Sequence, residues 1–264
     1  MTVPAFSVHE LTVRHFGGKG WTTAVDGVTF EVAPGEALVL LGESGSGKTT
    51  VARSILGLPA RGARTTGRID LSGTGLLTLG ERELSRVRGR RIGYVPQDPT
   101  ASLDPLRRIG AQLAEVLRRH GMVDGRRVAR AAVPGLLESV GIPDPERVAR
   151  SFPHELSGGL RQRAAIALAV CCEPELLIAD EPTTALDALV RSHVLDLFGR
   201  LRAERGVSLL LITHDLGVAL RTGGRVAVMR AGRIIETGPV AQVLANPDHP
   251  FTSQLVGTQL GARR

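Results

Sequence analysis

The amino-acid sequence predicts an α/β fold in which a largely parallel sheet is covered by helices. Three short apolar runs, at 176–179, 208–212 and 225–229, have the length and composition of buried strands. Segments with helical spacing, at 160–172 and 188–205, separate these runs. Buried apolar strands that alternate with helices are typical of parallel sheets with both faces covered.

The first part of the sequence adds an antiparallel edge, so we expect a mixed sheet. Residues 6–13 and 25–33 alternate apolar and polar side chains, as half-buried strands do, and a glycine-rich turn lies between them. Residues 37–41 form a continuous apolar run that predicts a buried strand. A glycine-rich loop follows, and then a helix from Lys48 to about Leu58.

The middle of the sequence predicts a helical insert. Between residues 106 and 150, apolar residues recur every three or four positions, and arginines fill the gaps. Pro134 and Gly135 should interrupt one of these helices. We therefore expect a single domain over residues 1–264. Its parts are a core at about 1–95 and 160–240, the insert at about 100–158 and a short helical C-terminal tail at 241–264.

Composition excludes several classes of function. The formal net charge of +7 would suit nucleic acid, but the basic residues are scattered, and all but two of the 33 are arginine. Such a skew indicates a general composition bias, so we expect no nucleic-acid partner. Cys171 and Cys172 are adjacent in an apolar run, which favours reduced core residues. No apolar run approaches the roughly 18 residues that span a bilayer, so we expect a soluble chain.

The strongest motif is GESGSGKTT, which lies between the apolar strand at 37–41 and the helix that follows. It matches G-x-x-x-x-G-K-[ST], the phosphate-binding P-loop, in the strand-to-helix context that this motif requires. Glycines let backbone N–H groups surround a phosphate, and the helix adds its positive end. Lys48 would place a point charge between the β- and γ-phosphates, and Thr49 could ligate Mg²⁺. The predicted ATP-binding residues of this loop are Gly42, Glu43, Ser44, Gly45, Ser46, Gly47, Lys48, Thr49 and Thr50.

A second motif, LLIADEP, places two carboxylates at the end of a buried strand. Asp180 could hold Mg²⁺, directly or through water, as the acidic partner of the P-loop. Glu181 comes one residue later and could accept a proton from an attacking water. A solvated acidic turn is the alternative interpretation, and the P-loop elsewhere in the chain makes it the weaker one.

A third motif, LSGGLRQR, opens another apolar helix with a hydroxyl and bare backbone at Ser157, Gly158 and Gly159. It is a second potential anion site, because N–H groups at a helix N-terminus point outward. One nucleotide does not need two such cradles in one chain, whereas a dimer could use both. The alternative is a helix N-cap with no further role.

In their order, these motifs resemble the nucleotide-binding domain family of ABC transporters. GESGSGKTT resembles the Walker A motif of that family, LLIADE the Walker B motif and LSGGLRQR the signature motif. Gln97 in VPQDP resembles the Q-loop glutamine, and His214 in LLITHD resembles the switch histidine. Ala185, Leu186 and Asp187 resemble the D-loop. The resemblance covers nearly the whole chain and implies an ATPase with a P-loop core.

The resemblance also implies roles for individual residues. Glu181 would be the catalytic base, and His214, which alone could be an ordinary strand-end histidine, would contact the γ-phosphate. Thr49, Gln97 and Asp180 would hold Mg²⁺. Across a dimer interface, the signature residues would contact the ATP of the other chain; they are Ser157, Gly158, Gly159 and Gln162.

An aromatic residue ahead of the P-loop commonly stacks on adenine in this family. Phe16 lies at the more usual distance before the next strand, and we favour it. Trp21 is the alternative candidate, although for this residue we favour a place in a loop or an interface.

Three segments resemble one subfamily, the importers of oligopeptides, dipeptides and nickel. They are PQDPTASLDP, ADEPTTALD and NPDHPFTSQLV. This resemblance implies two transmembrane permease subunits, a second ATPase subunit that is commonly a paralogue, and an extracytoplasmic solute-binding protein. The chain would lie peripherally on the cytoplasmic face of the membrane. Peptide, nickel or a metal chelate remain open as cargo, and a non-transport ABC ATPase is the more distant alternative. No cysteine follows Cys172, so we expect no iron–sulfur cluster.

Overall fold

The computed structural model describes residues 4–18, 20–184 and 186–261, which form two compact units. Among these residues, the first unit comprises those up to Leu84 and those from Ser208 onward, and the second comprises those from Ser85 to Val207. The strands, in chain order, are β1 (Phe6–Gly17), β2 (Gly20–Val32), β3 (Ala37–Leu41), β4 (Arg64–Leu71), β5 (Thr74–Gly75), β6 (Ile92–Val95), β7 (Leu176–Asp180), β8 (Ser208–Thr213), β9 (Arg225–Arg230) and β10 (Arg233–Pro239).

Ten α-helices accompany these strands in the described part of the chain. They are α1 (Lys48–Ile55), α2 (Glu81–Val87), α3 (Ile109–Arg119), α4 (Arg126–Ser139), α5 (Pro145–Arg150), α6 (Gly158–Val170), α7 (Ala188–Arg205), α8 (Leu216–Thr222), α9 (Val240–Ala245) and α10 (Pro250–Gly261). None of those in the described ranges is long and apolar enough to cross a bilayer.

The first unit contains two layers of strands. One is the antiparallel sheet β2-β1-β4-β5, whose inward face carries Val8, Leu11 and Val13. In the other, β3 lies between β8 and β9 and runs parallel to both, while β10 is antiparallel to β9. All five residues of β3 are buried, because neighbouring strands and covering helices leave it no solvent-facing side.

The second unit pairs β6 with β7 in parallel and is otherwise helical. Its strand pair packs against α6, since Gly93 lies so close to that helix that a Cβ there would meet the Ala169 carbonyl oxygen. Cys171 and Cys172, at the end of α6, are buried and free, as expected. Helices α3, α4 and α5 occupy the segment for which helical spacing was predicted. The single domain with its insert and tail stays a prediction.

The expectation that Pro134 and Gly135 interrupt a helix is wrong, because α4 continues through both. Proline in a helix interior costs about 3 kcal/mol, since it removes one hydrogen bond and crowds the preceding turn. The buried face of α4 outweighs that cost. Ala129, Val133 and Leu137 are at most 2% exposed and follow one another at four-residue spacing, and each large apolar side chain contributes about 1.5–3 kcal/mol.

The C-terminal tail is helical, and the segment NPDHPF lies at the junction of its two helices, α9 and α10. The Glu236 carboxylate, on β10, accepts the backbone N–H groups of Asp248 (2.9 Å) and His249 (3.2 Å) there. Burial alone would raise the pKa of Glu236, but these two hydrogen bonds and the nearby hydroxyl of Thr252 outweigh it, so the pKa lies below its ordinary value. The fully buried Thr252 hydroxyl makes no hydrogen bond of normal geometry within the described residues.

We predict that Glu236→Gln lowers the free energy of unfolding by about 1 kcal/mol at pH 7, because an amide can accept only one of the two N–H groups. The folded-state pKa of Glu236 is depressed, so its contribution is present above the ordinary pKa of glutamate, about 4.3, and is lost as pH falls through the folded value. Urea unfolding should therefore show a gap between wild type and variant that closes in acid. Glu204→Gln, at an exposed position on α7, is the matched control, and an equal effect there would refute this role.

Candidate nucleotide-binding site

The P-loop of the first unit holds its lysine inside the loop. The Lys48 side chain is buried, and its ammonium donates to the carbonyl oxygens of Gly42 (2.7 Å) and Glu43 (2.8 Å). It also lies 3.4 Å from the Ser46 hydroxyl. A buried cation needs such partners, because an unpaired charge out of water is costly. The loop thus positions a single compact positive charge at its own centre.

Two glycines of this loop approach neighbouring strands so closely that neither has room for a side chain. A Cβ on Gly42 would overlap the carbonyl oxygen of Met229, on β9. Gly47 has φ +106°, and its Cβ would lie 2.5 Å from the carbonyl oxygen of Ala24, on β2. The loop is therefore pressed onto two strands and fixed in shape, which is the preorganisation that a phosphate cradle needs.

The rest of the loop faces outward. Glu43, Ser44, Gly45 and Thr49 are exposed, and Thr50 is partly so. Backbone N–H groups on this open side are available to an anion at the start of α1. The open side of the loop therefore leaves the start of α1 accessible from solvent.

His214 leaves the first unit's parallel sheet beside the P-loop. Strands β3 and β8 are parallel neighbours in which Leu41 pairs with Thr213, so Gly42 and His214 follow at the same sheet edge. The Asp215 carboxylate then accepts the N–H groups that begin α8. Ligands of α/β proteins bind at this carboxyl edge of parallel strands.

The two candidate aromatic residues occupy one β-hairpin of the first unit. Phe16 and Trp21 are paired across β1 and β2, and their ring centroids lie 5.3 Å apart. Trp21 lies in a strand rather than in a loop, and the Arg64 guanidinium covers its ring at 4.7 Å. Phe16 is 67% exposed, compared with 37% for Trp21. Phe16 therefore offers the more open surface for a base.

In the second unit, two carboxylates follow the end of a buried strand. Asp180 closes β7 and is 3% exposed, and the Tyr94 hydroxyl on β6 lies 3.4 Å from one of its oxygens. Glu181 has φ +49°, a left-handed backbone that non-glycine residues adopt at some cost. Its carboxylate accepts the Thr184 hydroxyl at 2.9 Å. The turn thus separates the two acids, with Asp180 buried and Glu181 directed outward.

Gln97 lies at the same edge of the β6–β7 pair. Val95 pairs with Ala179, and both strands run in the same direction, so Gln97 and Asp180 leave the pair on one side. Gln97 is exposed. The next residue, Asp98, accepts the Thr100 hydroxyl and N–H, which hold its pKa below the ordinary value and fix the turn after Gln97.

The signature segment begins α6 with an open surface. Ser157 is the N-cap of the helix, with its hydroxyl oxygen 3.4 Å from the Leu160 nitrogen, and both Ser157 and Gly158 are exposed. A Cβ on Gly158 would meet nothing within 4 Å, whereas one on Gly159 would meet Val190 at 3.0 Å.

Gln162 differs from the other signature residues. Its side chain is 1% exposed, and the amide nitrogen has no hydrogen-bond partner within the described residues. It therefore lies beneath the signature loop rather than on its surface. Asp187 is exposed and caps α7 by accepting the Val190 N–H at 2.9 Å. Ala185 of the predicted D-loop lies outside the described residues.

The candidate metal ligands suit Mg²⁺. Thr49, in the first unit, offers an exposed hydroxyl, and Asp180, in the second, offers a buried carboxylate, and each is an oxygen donor of the kind that Mg²⁺ prefers. No group of three or more histidine, cysteine, aspartate or glutamate residues that could hold a metal occurs among the described residues. An all-protein cage of that kind is not what Mg²⁺ at a nucleotide requires.

Comparisons with known proteins test the family resemblance that the motifs indicate. A protein-family model described as "ABC transporter" matches residues 25–184. The peptidoglycan transport ATP-binding protein YejF of Agrobacterium fabrum is 46% identical over 98% of this chain and 47% of its own length. A probable peptide ABC transporter ATP-binding protein of Sinorhizobium fredii is 45% identical over 97% of this chain and 77% of its own length. The oligopeptide transport ATP-binding protein OppD of Mycobacterium tuberculosis is 43% identical over 97% of this chain, and this chain spans 42% of it.

Solved structures are similar over most of the chain. A dimeric ATP-binding cassette in a post-hydrolysis state, bound to ADP and Pi, has a TM-score of 0.78 and 28% identity, covering 89% of this chain and 98% of that one. A cbiO1 subunit of the cbiONQ transporter complex from Clostridium perfringens has a TM-score of 0.76 and 27% identity, covering 98% and 97%. These likenesses confirm the predicted α/β P-loop fold and the resemblance on which the site assignment rests.

We predict that Phe16→Ala weakens binding of Mg·ATP about tenfold, because stacking of a base on an aromatic ring contributes about 1–3 kcal/mol. Trp21→Ala should change the affinity much less, since Arg64 covers its ring. Isothermal titration of both variants with Mg·ATP checks this. Inorganic triphosphate, which has no base, should bind wild type and Phe16→Ala equally. A loss confined to Trp21→Ala would assign the adenine to Trp21.

Proposed function

This chain belongs to the ABC transporter family, and we propose that it is the ATP-hydrolysing subunit of an importer of peptides or chemically related solutes. The P-loop, with its buried Lys48 held at the centre of the loop, is the observation that carries the ATPase assignment. The names of the three relatives favour peptide-derived cargo over nickel or a metal chelate. The chain spans only about half of two of those relatives, so activity, cargo and partners are proposed for the assembled transporter.

Binding of ATP begins at the P-loop. The Lys48 ammonium exchanges its two loop carbonyls for phosphate oxygens, and the N–H groups at the start of α1 donate to the same phosphates. Phe16 supports the base. Thr49, Asp180 and Gln97 would hold Mg²⁺, which neutralises developing charge on the phosphates and orients them.

Hydrolysis requires a base and a sensor of the γ-phosphate. The Glu181 carboxylate is held by the Thr184 hydroxyl and accepts the proton of the attacking water. His214, at the end of β8, donates to the γ-phosphate. The Asp187 carboxylate caps α7 and so fixes the start of the helix that follows Glu181 in the chain.

The signature segment completes the site of a second ATPase subunit. Ser157, Gly158 and Gly159 present exposed or partly exposed backbone at the start of a 13-residue helix, where N–H groups and the helix dipole attract an anion. Closing two subunits places this cradle against the γ-phosphate that is bound to the partner's P-loop. Gln162 supports that surface from below. The second ATPase is a copy or a paralogue.

Closure of the two ATPases moves the transmembrane subunits, and hydrolysis reopens them. Two permease subunits and an extracytoplasmic solute-binding protein complete the importer, with this chain peripheral on the cytoplasmic face. Co-purification of this chain with membrane permeases would support this assembly. Recovery of ribosomes or DNA instead would favour a non-transport ABC ATPase.

We predict that Gly158→Ala leaves the affinity for ATP within about twofold of wild type but lowers turnover about 10²-fold. In the isolated chain the added methyl group meets nothing within 4 Å, so only a closely approaching phosphate would sense it. Steady-state ATPase assays and nucleotide titration of the same preparation measure the two effects separately.

Gly135→Ala is the matched control, because a methyl group added there also has no atom within 4 Å and lies on the exposed side of α4. It should raise the thermal midpoint slightly and leave turnover unchanged. Normal turnover of Gly158→Ala would contradict the shared site.

A further inference from the structure

Gln259, in the last turn of α10, clasps the backbone on both sides of Asp215. Its amide nitrogen donates to the His214 carbonyl oxygen at 2.9 Å, and its amide oxygen accepts the Leu216 N–H at 3.1 Å. All of these residues belong to the first unit. A side-chain amide that both donates and accepts in this way fixes the turn that carries His214 in a single conformation.

Local hydrogen bonds also hold the turn that carries His214. Thr213 accepts the Asp215 N–H through its hydroxyl at 3.1 Å, and the Asp215 carboxylate caps α8. These contacts are local, within two or three residues of His214. Gln259, by contrast, ties the turn to an element 43 to 45 residues away in sequence.

Gln259 rests on a helix that is firmly docked. The Glu236 carboxylate binds the junction before α10. Further along, Phe251 and Leu255 are buried, and the Arg230 guanidinium lies 4.5 Å from the Phe251 ring. A helix fixed at its start and middle can hold a side chain at its end within narrow limits.

From this geometry we infer that Gln259 is a positioning residue for His214, so that docking of α10 sets the orientation of the switch histidine. The inference rests on the proposed contact of His214 with the γ-phosphate. Gln259 contacts the backbone of His214 and Leu216, and in this role it acts through that backbone rather than on the nucleotide itself.

The test compares two substitutions in the full chain. Gln259→Met keeps the length of the side chain and removes both hydrogen bonds, and Gln259→Glu keeps the acceptor for Leu216 but places a carboxylate against the His214 carbonyl. We expect kcat to fall about fivefold or more in each, as the loss of one to two hydrogen bonds predicts, while the dissociation constant for ATP stays within about twofold. Gln254→Met, at an exposed position of the same helix, should retain wild-type kcat.

A double substitution separates positioning from general destabilisation. In a His214→Ala chain, Gln259→Met should cause no further loss of kcat, because the group that it positions is gone. Wild-type kcat in either Gln259 variant overturns the inference. An equal loss of ATP affinity and kcat in the single variants would also overturn it. An additional loss of kcat in the double variant would do the same, since either result indicates a purely structural role. If Gln259→Met does not fold, Gln259→Glu decides.

The same experiment distinguishes failure of the proposed function. Wild-type turnover in His214→Ala alone would contradict the role of His214 and leave Gln259 with nothing to position. Loss of turnover in His214→Ala with unchanged Gln259 variants would keep the proposed function and reject only the positioning role.

Discussion

The buried ammonium of Lys48 is the constraint on which the site depends. A charge that is 6% exposed must keep hydrogen-bond partners, and the loop provides them through the carbonyls of Gly42 and Glu43. In the same loop, Gly42 and Gly47 lie directly on Met229 and Ala24, where a side chain would not fit. The hydrogen bonds of the buried cation and these close contacts together hold the loop in one shape.

Parallel strands provide the remaining groups because they end together. In each unit the register places functional residues at one sheet edge, with Gly42 and His214 after β3 and β8, and Gln97 and Asp180 after β6 and β7. Such an edge combines rigid strands with short loops whose polar groups face outward. Within each unit, polar residues that are far apart in sequence therefore leave the sheet at the same edge.

Sequence patterns predicted the elements whose burial is complete. The apolar runs of β3, β7, β8 and β9 appear as expected, because strands that are covered on both faces consist mostly of apolar residues. Strands β4, β6 and β10 are short, partly exposed or mixed in composition, so their sequences show no clear alternation of apolar and polar residues. The prediction of a helix break at Pro134 was wrong because burial of one face of α4 stabilises the helix by more than the proline costs. The contacts of Tyr94 with Asp180 and of Gln259 with His214 join residues 86 and 45 apart, and no local pattern encodes them.

Titration of Lys48→Ala with Mg·ATP tests the central claim most directly. If the ammonium at the loop centre is the cation that meets the phosphates, the affinity should fall about 10²-fold or more. Lys48→Arg should also bind poorly, because a planar fork does not fit a loop built around a point charge. Affinity within about twofold of wild type for either variant would contradict the claim that this loop is the ATP site.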